Sequence, residues 1–169
     1  MGILETHRPD DGATVFDRLA AIIRESRVAC VLHEHMPTRT MEDAARNLSF
    51  ELDRIVKTIA FRTRSDMLVL AALRGTRRVA YPGLAALLGC SRREVNPLSA
   101  QEVFERLGVE PGSVSPVADD GAAVIFLDAD VLTIAPTLYC GLGRPDRTLE
   151  IAPADLLRLA GGRIGQFSR

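Results

Sequence analysis

A chain of 169 residues, 47% hydrophobic and 25% charged, is long enough to bury a core and has the make-up of one globular domain, which excludes a disordered chain or a coiled coil. A formal net charge of -1 excludes a strongly basic nucleic-acid coat but leaves room for a local basic patch. Cys30, Cys90 and Cys140 are odd in number, far apart and without metal-type spacing, and read as reduced thiols in a cytoplasmic protein, mostly core filler. No N-terminal stretch has the charged-then-apolar pattern of a signal peptide. The longest apolar region, residues 122–142, is broken by Asp128, Asp130 and Pro136, so no membrane partner is expected.

Residues 1–13 are polar, hold Pro9, Asp10, Asp11 and Gly12 together, and read as a flexible tail ahead of a single domain over residues 14–169. Thr14 is placed to cap a helix that puts Phe16, Leu19, Ala20 and Ile23 on one face. Residues 28–32 form a short apolar strand. Thr40 followed by Asp43 resembles a capping box with the shorter acid and opens a helix through Ala44, Ala45 and Leu48. Residues 54–62 alternate, with Ile55, Lys57, Ile59 and Phe61 on one face and Val56, Thr58, Ala60 and Arg62 on the other. Lys57 is the one lysine among 21 basic residues, and as part of a strand it is aimed along an apolar face. Two readings of it stand side by side: a side chain that snorkels at a sheet edge, or a functional ammonium.

Ser65-Asp66 makes a turn into a second strand over residues 67–73, so the pair reads as a hairpin. Pro82 opens a short helix closed by Gly89, residues 92–96 form a strand, and Ser99 with Glu102 is a full capping box for a helix that stops at Gly108. The stretch Gly108 to Pro116 is too rich in Gly, Pro and Ser to be regular. Residues 122–127 are the most hydrophobic strand, and Asp128 turns the chain at its end. Residues 137–140 and 148–151 pair as strands across the Gly141-Leu142-Gly143 turn, and Pro153 begins a last helix ending at Gly161-Gly162. Short helices among about six to seven strands indicate an α+β domain with a mixed, largely antiparallel sheet.

Several motifs in order then resemble a known family. Glu42-Asp43-Ala44-Ala45, Val56-Lys57-Thr58, Gly112-Ser113-Val114-Ser115-Pro116, residues 124–128 and Leu149-Glu150-Ile151-Ala152-Pro153 fall as they do in the YbaK/ProX family. These are aminoacyl-tRNA deacylases related to the editing domain of bacterial prolyl-tRNA synthetase. The resemblance runs from about His33 to Leu159. It implies a mixed sheet wrapped by helices, and hydrolysis of the ester joining a wrong amino acid to a tRNA, commonly proline tRNA. The family's lysine corresponds to Lys57 and its Gly-x-x-x-Pro loop to residues 112–116. Thr58 follows the lysine, and His35 and Thr40 stand where neighbouring positions shape the amino-acid pocket.

The chemistry of these residue types agrees with those roles. A Gly-rich loop presents backbone N–H groups to a developing oxyanion: Gly112 lets the main chain approach closely and Pro116 fixes its exit. A lysine ammonium at a pocket mouth can pair with the terminal nucleotide's phosphate and hold the ester in place. The expected partners are therefore the aminoacylated tRNA acceptor end and, as a second candidate, an aminoacyl-tRNA synthetase. No metal or organic cofactor is called for, and oligomeric state is left open. His33 and His35 flank Glu34, but no third ligand follows at metal-type spacing.

Asp128 ends its strand where the family often has an acid, and reads first as a turn or cap and second as a substrate-binding group. Cys30 and Cys140 read as buried filler. The arginine pairs Arg62/Arg64, Arg77/Arg78 and Arg92/Arg93 are candidates for acceptor-stem phosphates. Relatives tend to carry a histidine or serine around Gly141; its absence here points to a roomier pocket, a different amino acid or weakened activity. The competing readings are a non-catalytic module of the same fold that binds tRNA or a synthetase, and a Schiff-base lysine, for which no phosphate cradle or acid/base partner is present.

Overall fold

The computed structural model describes residues 14–118 and 121–169; the tail expected over residues 1–13 lies outside the described residues. In chain order the elements are α1 (Val15–Ser26), β1 (Cys30–Glu34), α2 (Met41–Asn47), β2 (Ile55–Thr63), β3 (Leu68–Arg74), α3 (Tyr81–Leu88) and β4 (Val95–Pro97). They are followed by α4 (Ala100–Leu107), β5 (Val124–Asp128), β6 (Leu138–Gly141), β7 (Arg147–Ile151), α5 (Pro153–Ala160) and β8 (Arg163–Gly165).

The helices start where side chains satisfy the free N–H groups of the first turn. Thr14 and Asp17 close a reciprocal box on α1, with Thr14 N–H donating to the Asp17 carboxylate at 2.9 Å and Asp17 N–H to Thr14 Oγ1 at 3.2 Å. Ser99 and Glu102 do the same on α4 at 2.7 and 3.2 Å. On α2 half of the expected box forms: Asp43 N–H donates to Thr40 Oγ1 at 3.0 Å, but the Asp43 carboxylate takes the N–H of Arg39.

The strands form one mixed sheet in the order β1-β7-β6-β2-β3-β5-β8, with β4 pairing on β2 beside that path. β8 brings the strands to eight, one more than the sequence patterning yields; with three residues it has no periodicity and exists through its pairing with β5. Four pairings are antiparallel, and the pairings of β2 with β6, β3 with β5 and β5 with β8 are parallel. The expected hairpin is there, with Val56 opposite Arg74 and Arg62 opposite Leu68.

At β3 both faces of the sheet are covered, so this strand reads as an almost unbroken apolar run. Leu70 and Ala72 face the larger core with Leu19 and Ile23 of α1, Val103 of α4 and Leu156 of α5. Val69, Ala71 and Leu73 face a smaller core with Leu84 of α3, Val95 and Phe167. β1 lies at the sheet edge, and Cys30, expected to be buried, is exposed there because no further strand or helix covers its face. No helix among the described residues is long and apolar enough to cross a membrane.

Asp128 holds the C-terminal segment onto this frame. Its buried carboxylate accepts from Phe167 N–H (2.8 Å), Ser168 N–H (2.9 Å) and Ser168 Oγ (2.8 Å), and caps the following 3₁₀ turn through Asp130 N–H at 3.1 Å. Asp128→Ala strands these donors in a dry environment and should cost about 3 kcal/mol of stability. The check is urea denaturation, and a midpoint equal to that of the parent would refute the role.

Candidate functional site

The site originates in an interruption of the sheet. One edge of β2 pairs with β3 from Val56 to Arg62. The other edge pairs with β6 at Ile55 and Val56 and with β4 from Phe61 to Thr63, so no strand lies against it between those points. Two bonds set the phase of the backbone: Ile55 C=O accepts from Gly75 N–H on the β3 side, and Ala60 C=O accepts from Leu98 N–H on the other. By alternation, the N–H and C=O of Thr58 face the open edge.

A cavity of about 350 Å³ occupies this gap. Val56, Ala60, Val103 and Cys140 contribute apolar walls, and Ala44 and Leu48 close it from α2 and its exit. Phe50, stacked on Tyr139 with ring centroids 4.1 Å apart, forms another wall. The charged lining residues are all cationic: Arg39, Lys57, Arg144 and Arg147. The three arginines are countered by carboxylates, Arg39 by Glu110 at 2.9 Å, Arg144 by Asp146 at 2.9 Å, and Arg147 by Asp146 and Glu34.

Lys57 has only carbonyls to pair with. Its side chain leaves β2 on the face of Ile59 and Phe61, as the alternation requires, and its ammonium donates to Gly75 C=O at 3.1 Å and Arg77 C=O at 2.5 Å. An ammonium has three donors, and among the described residues the third has no acceptor. Partial burial, and then the nearby Arg78 charge, hold its pKa below that of an ordinary lysine. The turn supplying its acceptors is fastened by Asp130, which binds Arg74 at 2.8 Å and Arg77 at 3.2 Å.

The 112–116 loop closes the cavity from the opposite side. Gly112 has φ +86°, and a Cβ there would stand 2.3 Å from Arg39 C=O, so both the backbone conformation and the space demand glycine. Gly112 and Val114 line the cavity, and among the described residues their N–H groups have no hydrogen-bond partner, whereas Ser113 N–H is spent on Glu110 C=O at 3.0 Å. Ser113 is buried away from the cavity, and Ser115 Oγ turns back to accept from Val117 N–H at 3.1 Å. Pro116 follows outside the lining.

Gly141 departs from the expected roomier pocket. A Cβ there would meet Val114 C=O at 2.9 Å, and Gly143 N–H donates to Ser113 C=O at 2.9 Å. Glycine at this point lets the end of β6 lie against the loop; the space is already taken by main chain. Cys140 beside it is buried, and desolvation pushes its thiol up to about 12, which removes it as a nucleophile near neutral pH.

The family model of the aminoacyl-tRNA editing domain matches residues 35–159, a span that contains every residue lining the cavity. The chain belongs to this family. Its relatives include the uncharacterized protein YwhH of Bacillus subtilis (strain 168), 25% identical over 74% of this chain and 77% of its own length. The proline–tRNA ligase of Dechloromonas aromatica (strain RCB) is 33% identical over 79% of this chain, which spans only 24% of the ligase. Among solved structures, the hypothetical protein APE2540 superimposes with a TM-score of 0.80 at 27% identity, covering 90% of this chain and 99% of the other. A candidate trans-editing enzyme for prolyl tRNA synthetase gives 0.76 at 23% identity, covering 93% and 98%, and shares the fold.

Within this editing domain, Thr40 and Thr58 line the cavity with Lys57, Gly112, Val114 and Gly141. His35 does not line it; Nδ1–H donates to Met36 C=O and Nε2 accepts from Thr148 Oγ–H, each at 2.7 Å, so it orients Thr148, which does. His33 pairs with Glu150 at 2.7 Å. Asp128 is a correction: it lies outside the cavity lining, because three of its hydrogen bonds bind the C-terminal segment beyond the far edge of β5 and the fourth caps the 3₁₀ turn that follows it. In each arginine pair one member is engaged internally, Arg62 with Glu102, Arg77 with Asp130 and Arg92 over the Tyr81 ring.

The sequence reading missed Arg39, Phe50, Tyr139, Arg144, Arg147 and Thr148. The one local signal was the run Arg144-Pro145-Asp146-Arg147, a charged turn directly after the glycines.

Gly112→Ala should destabilise the editing domain by about 2 kcal/mol or more, from the left-handed backbone and the contact with Arg39. Thermal unfolding of the pair of proteins tests it. Asp130 gives a pH dependence. Its hydrogen bond from Arg74, and the Arg74 and Arg77 charges, depress its folded pKa, so its contribution is fully present above the ordinary carboxylate pKa and lost as pH falls through the depressed value. Urea midpoints from pH 7 to pH 2 should therefore fall less for Asp130→Asn than for the parent.

Proposed function

We propose that this protein is an aminoacyl-tRNA deacylase that acts in trans, hydrolysing the ester between a wrongly attached amino acid and a tRNA of the proline type or another that mischarges with small amino acids. The observation that carries the reading is the joint presence, in the lining of one cavity, of Lys57 and of Gly112 and Val114 with unbonded N–H groups. Ester hydrolysis needs charge stabilisation where the carbonyl oxygen becomes an oxyanion and a fixed position for the ester. The loop N–H groups serve the first need. The free donor of Lys57 serves the second, by pairing with the phosphate of the terminal nucleotide at the cavity mouth.

Water is the nucleophile. Its oxygen bonds to the carbonyl carbon, the bond from that carbon to the ribose oxygen breaks, and the ribose oxygen takes up the proton. Among the described residues no carboxylate lines the cavity, and the Cys140 thiol is neutral, so the reaction relies on positioning and on N–H donors. Arg78, next to the Lys57 acceptors and without an ion pair among the described residues, is placed to meet an acceptor-stem phosphate.

Deacylation of a panel of proline, alanine and threonine tRNAs carrying small amino acids tests the proposal. At least one should be hydrolysed, and Lys57→Ala should lower kcat/KM on the order of 100-fold. Lys57→Arg should be severely impaired too, since a planar fork cannot replace a point charge held between two carbonyls. A protein that binds tRNA but hydrolyses nothing in the panel is instead the accessory module.

A further inference from the structure

Among the described residues the cavity lining holds no carboxylate and no ionised thiol, so a proton acceptor for an attacking water has to stand behind it. Thr148 and His35 form such an arrangement. Thr148 is nearly buried, at 8% exposure, and lines the cavity. In the sheet it stands opposite Gly141 on β6 and His33 on β1. A Cβ at Gly141 would lie 2.9 Å from Val114 C=O, so the 112–116 loop, with its unbonded Gly112 and Val114 N–H groups, packs against the residue paired with Thr148.

Because His33 is opposite Thr148, alternation puts His33, His35, Thr148 and Glu150 on one face of the sheet. His33 Nε2 is tied to the Glu150 carboxylate at 2.7 Å, and neither residue lines the cavity. His35 is bound differently. A carbonyl can only accept, so Nδ1, 2.7 Å from Met36 C=O, carries the ring hydrogen. In the neutral ring Nε2 is then an acceptor, and the Thr148 hydroxyl donates to it at 2.7 Å. A hydroxyl bonded to an imidazole whose other nitrogen is held by a third group is the arrangement that activates oxygen nucleophiles. The charged lining residues Arg39, Lys57, Arg144 and Arg147 can only donate, whereas Thr148 Oγ1 keeps lone pairs to accept with.

Resting on the deacylase reading above, we infer that Thr148 and His35 relay the proton of the attacking water. Thr148 is the catalytic residue, and His35 is a positioning residue that acts through it. The water oxygen bonds to the carbonyl carbon, one water proton passes to Thr148 Oγ1, and the Thr148 hydroxyl proton passes to His35 Nε2. The carbonyl π pair moves onto the oxygen, which the Gly112 and Val114 N–H groups receive. On collapse the bond from carbon to ribose oxygen breaks, that oxygen takes a proton from Thr148 Oγ1, and His35 returns its proton to Thr148. Both residues end as they began, and water is the one reactant consumed besides the ester.

The test uses the mischarged tRNA that wild-type protein hydrolyses fastest. His35→Gln offers an amide oxygen that accepts from Thr148 but takes up no proton. It should lower kcat at least about tenfold, leave KM within about twofold, and keep the wild-type unfolding temperature. Thr148→Val should lose kcat by a similar factor, the double variant should lose no more than either single one, and Thr148→Ser should recover most of the loss. Hydroxylamine, whose nitrogen attacks before it sheds a proton, should cleave the ester on wild type and on His35→Gln at rates within about threefold of each other. A His35→Gln protein with wild-type kcat, or with its loss in KM alone, overturns the inference and leaves the deacylase standing. So do losses that multiply in the double variant. An acyl group found on Thr148 by mass spectrometry of acid-quenched protein also overturns it, since Thr148 would then be the nucleophile. Should the variants not fold, wild-type turnover in heavy water decides: a rate about twofold lower or more supports the relay, and an equal rate overturns it. If wild type hydrolyses nothing in the panel, both readings fall.

Discussion

Strand β2 has one edge that two strands share without meeting. β6 takes its start and β4 its end, and the stretch between, centred on Thr58, is left without a partner. Unpaired strand edges are usually covered, because exposed N–H and C=O groups invite pairing. Here the cover is α2, the 112–116 loop and the β6–β7 turn, which enclose a cavity. The close contacts that seal it depend on glycine: Gly112 against Arg39 C=O and Gly141 against Val114 C=O are main-chain approaches that any Cβ would block. The cavity is thus a consequence of sheet topology, held open by strands and closed by backbone.

Its electrostatic character has the same origin. Lys57 leaves β2 on the face opposite the larger core and finds its acceptors in the turn after β3. That turn is fixed by Arg74 and Arg77 on Asp130, which sits on the 3₁₀ turn capped by Asp128, and Asp128 in turn holds residues 167 and 168. A line of charge-assisted contacts therefore runs from the ammonium to the C-terminal segment. Among the described residues the lining has no carboxylate, and its thiol is neutral, so what it offers a ligand is placement, N–H donors and positive charge.

Much of this was legible beforehand. The alternation through residues 55–61 placed Lys57 on an apolar-faced strand, the Thr14/Asp17 and Ser99/Glu102 boxes marked helix starts, and the Ser65-Asp66 turn marked the hairpin, because each is a local pattern read within a few residues. Family motifs carried the site to Lys57 and the 112–116 loop. The errors share another cause. Cys30 was read as buried and is exposed, since an apolar strand carries no mark of being an edge strand. Asp128 was grouped with the pocket, since a strand-terminal acid looks the same whether it faces a ligand or a distant chain segment. β8 was missed, since three residues show no period.

The sequence by itself determined where chain segments start and stop and which faces are apolar, and the family resemblance pointed to one lysine and one Gly-x-x-x-Pro loop. Those are short-range matters of caps, turns and periodicity. Only the tertiary structure decided that β2 is left open at Thr58, that Gly141 is filled by the neighbouring loop rather than by empty space, and that the lysine is tied to two carbonyls. Each of those depends on which distant strands and loops share an edge, and strand order is set by packing across the whole sheet, beyond the reach of any local pattern.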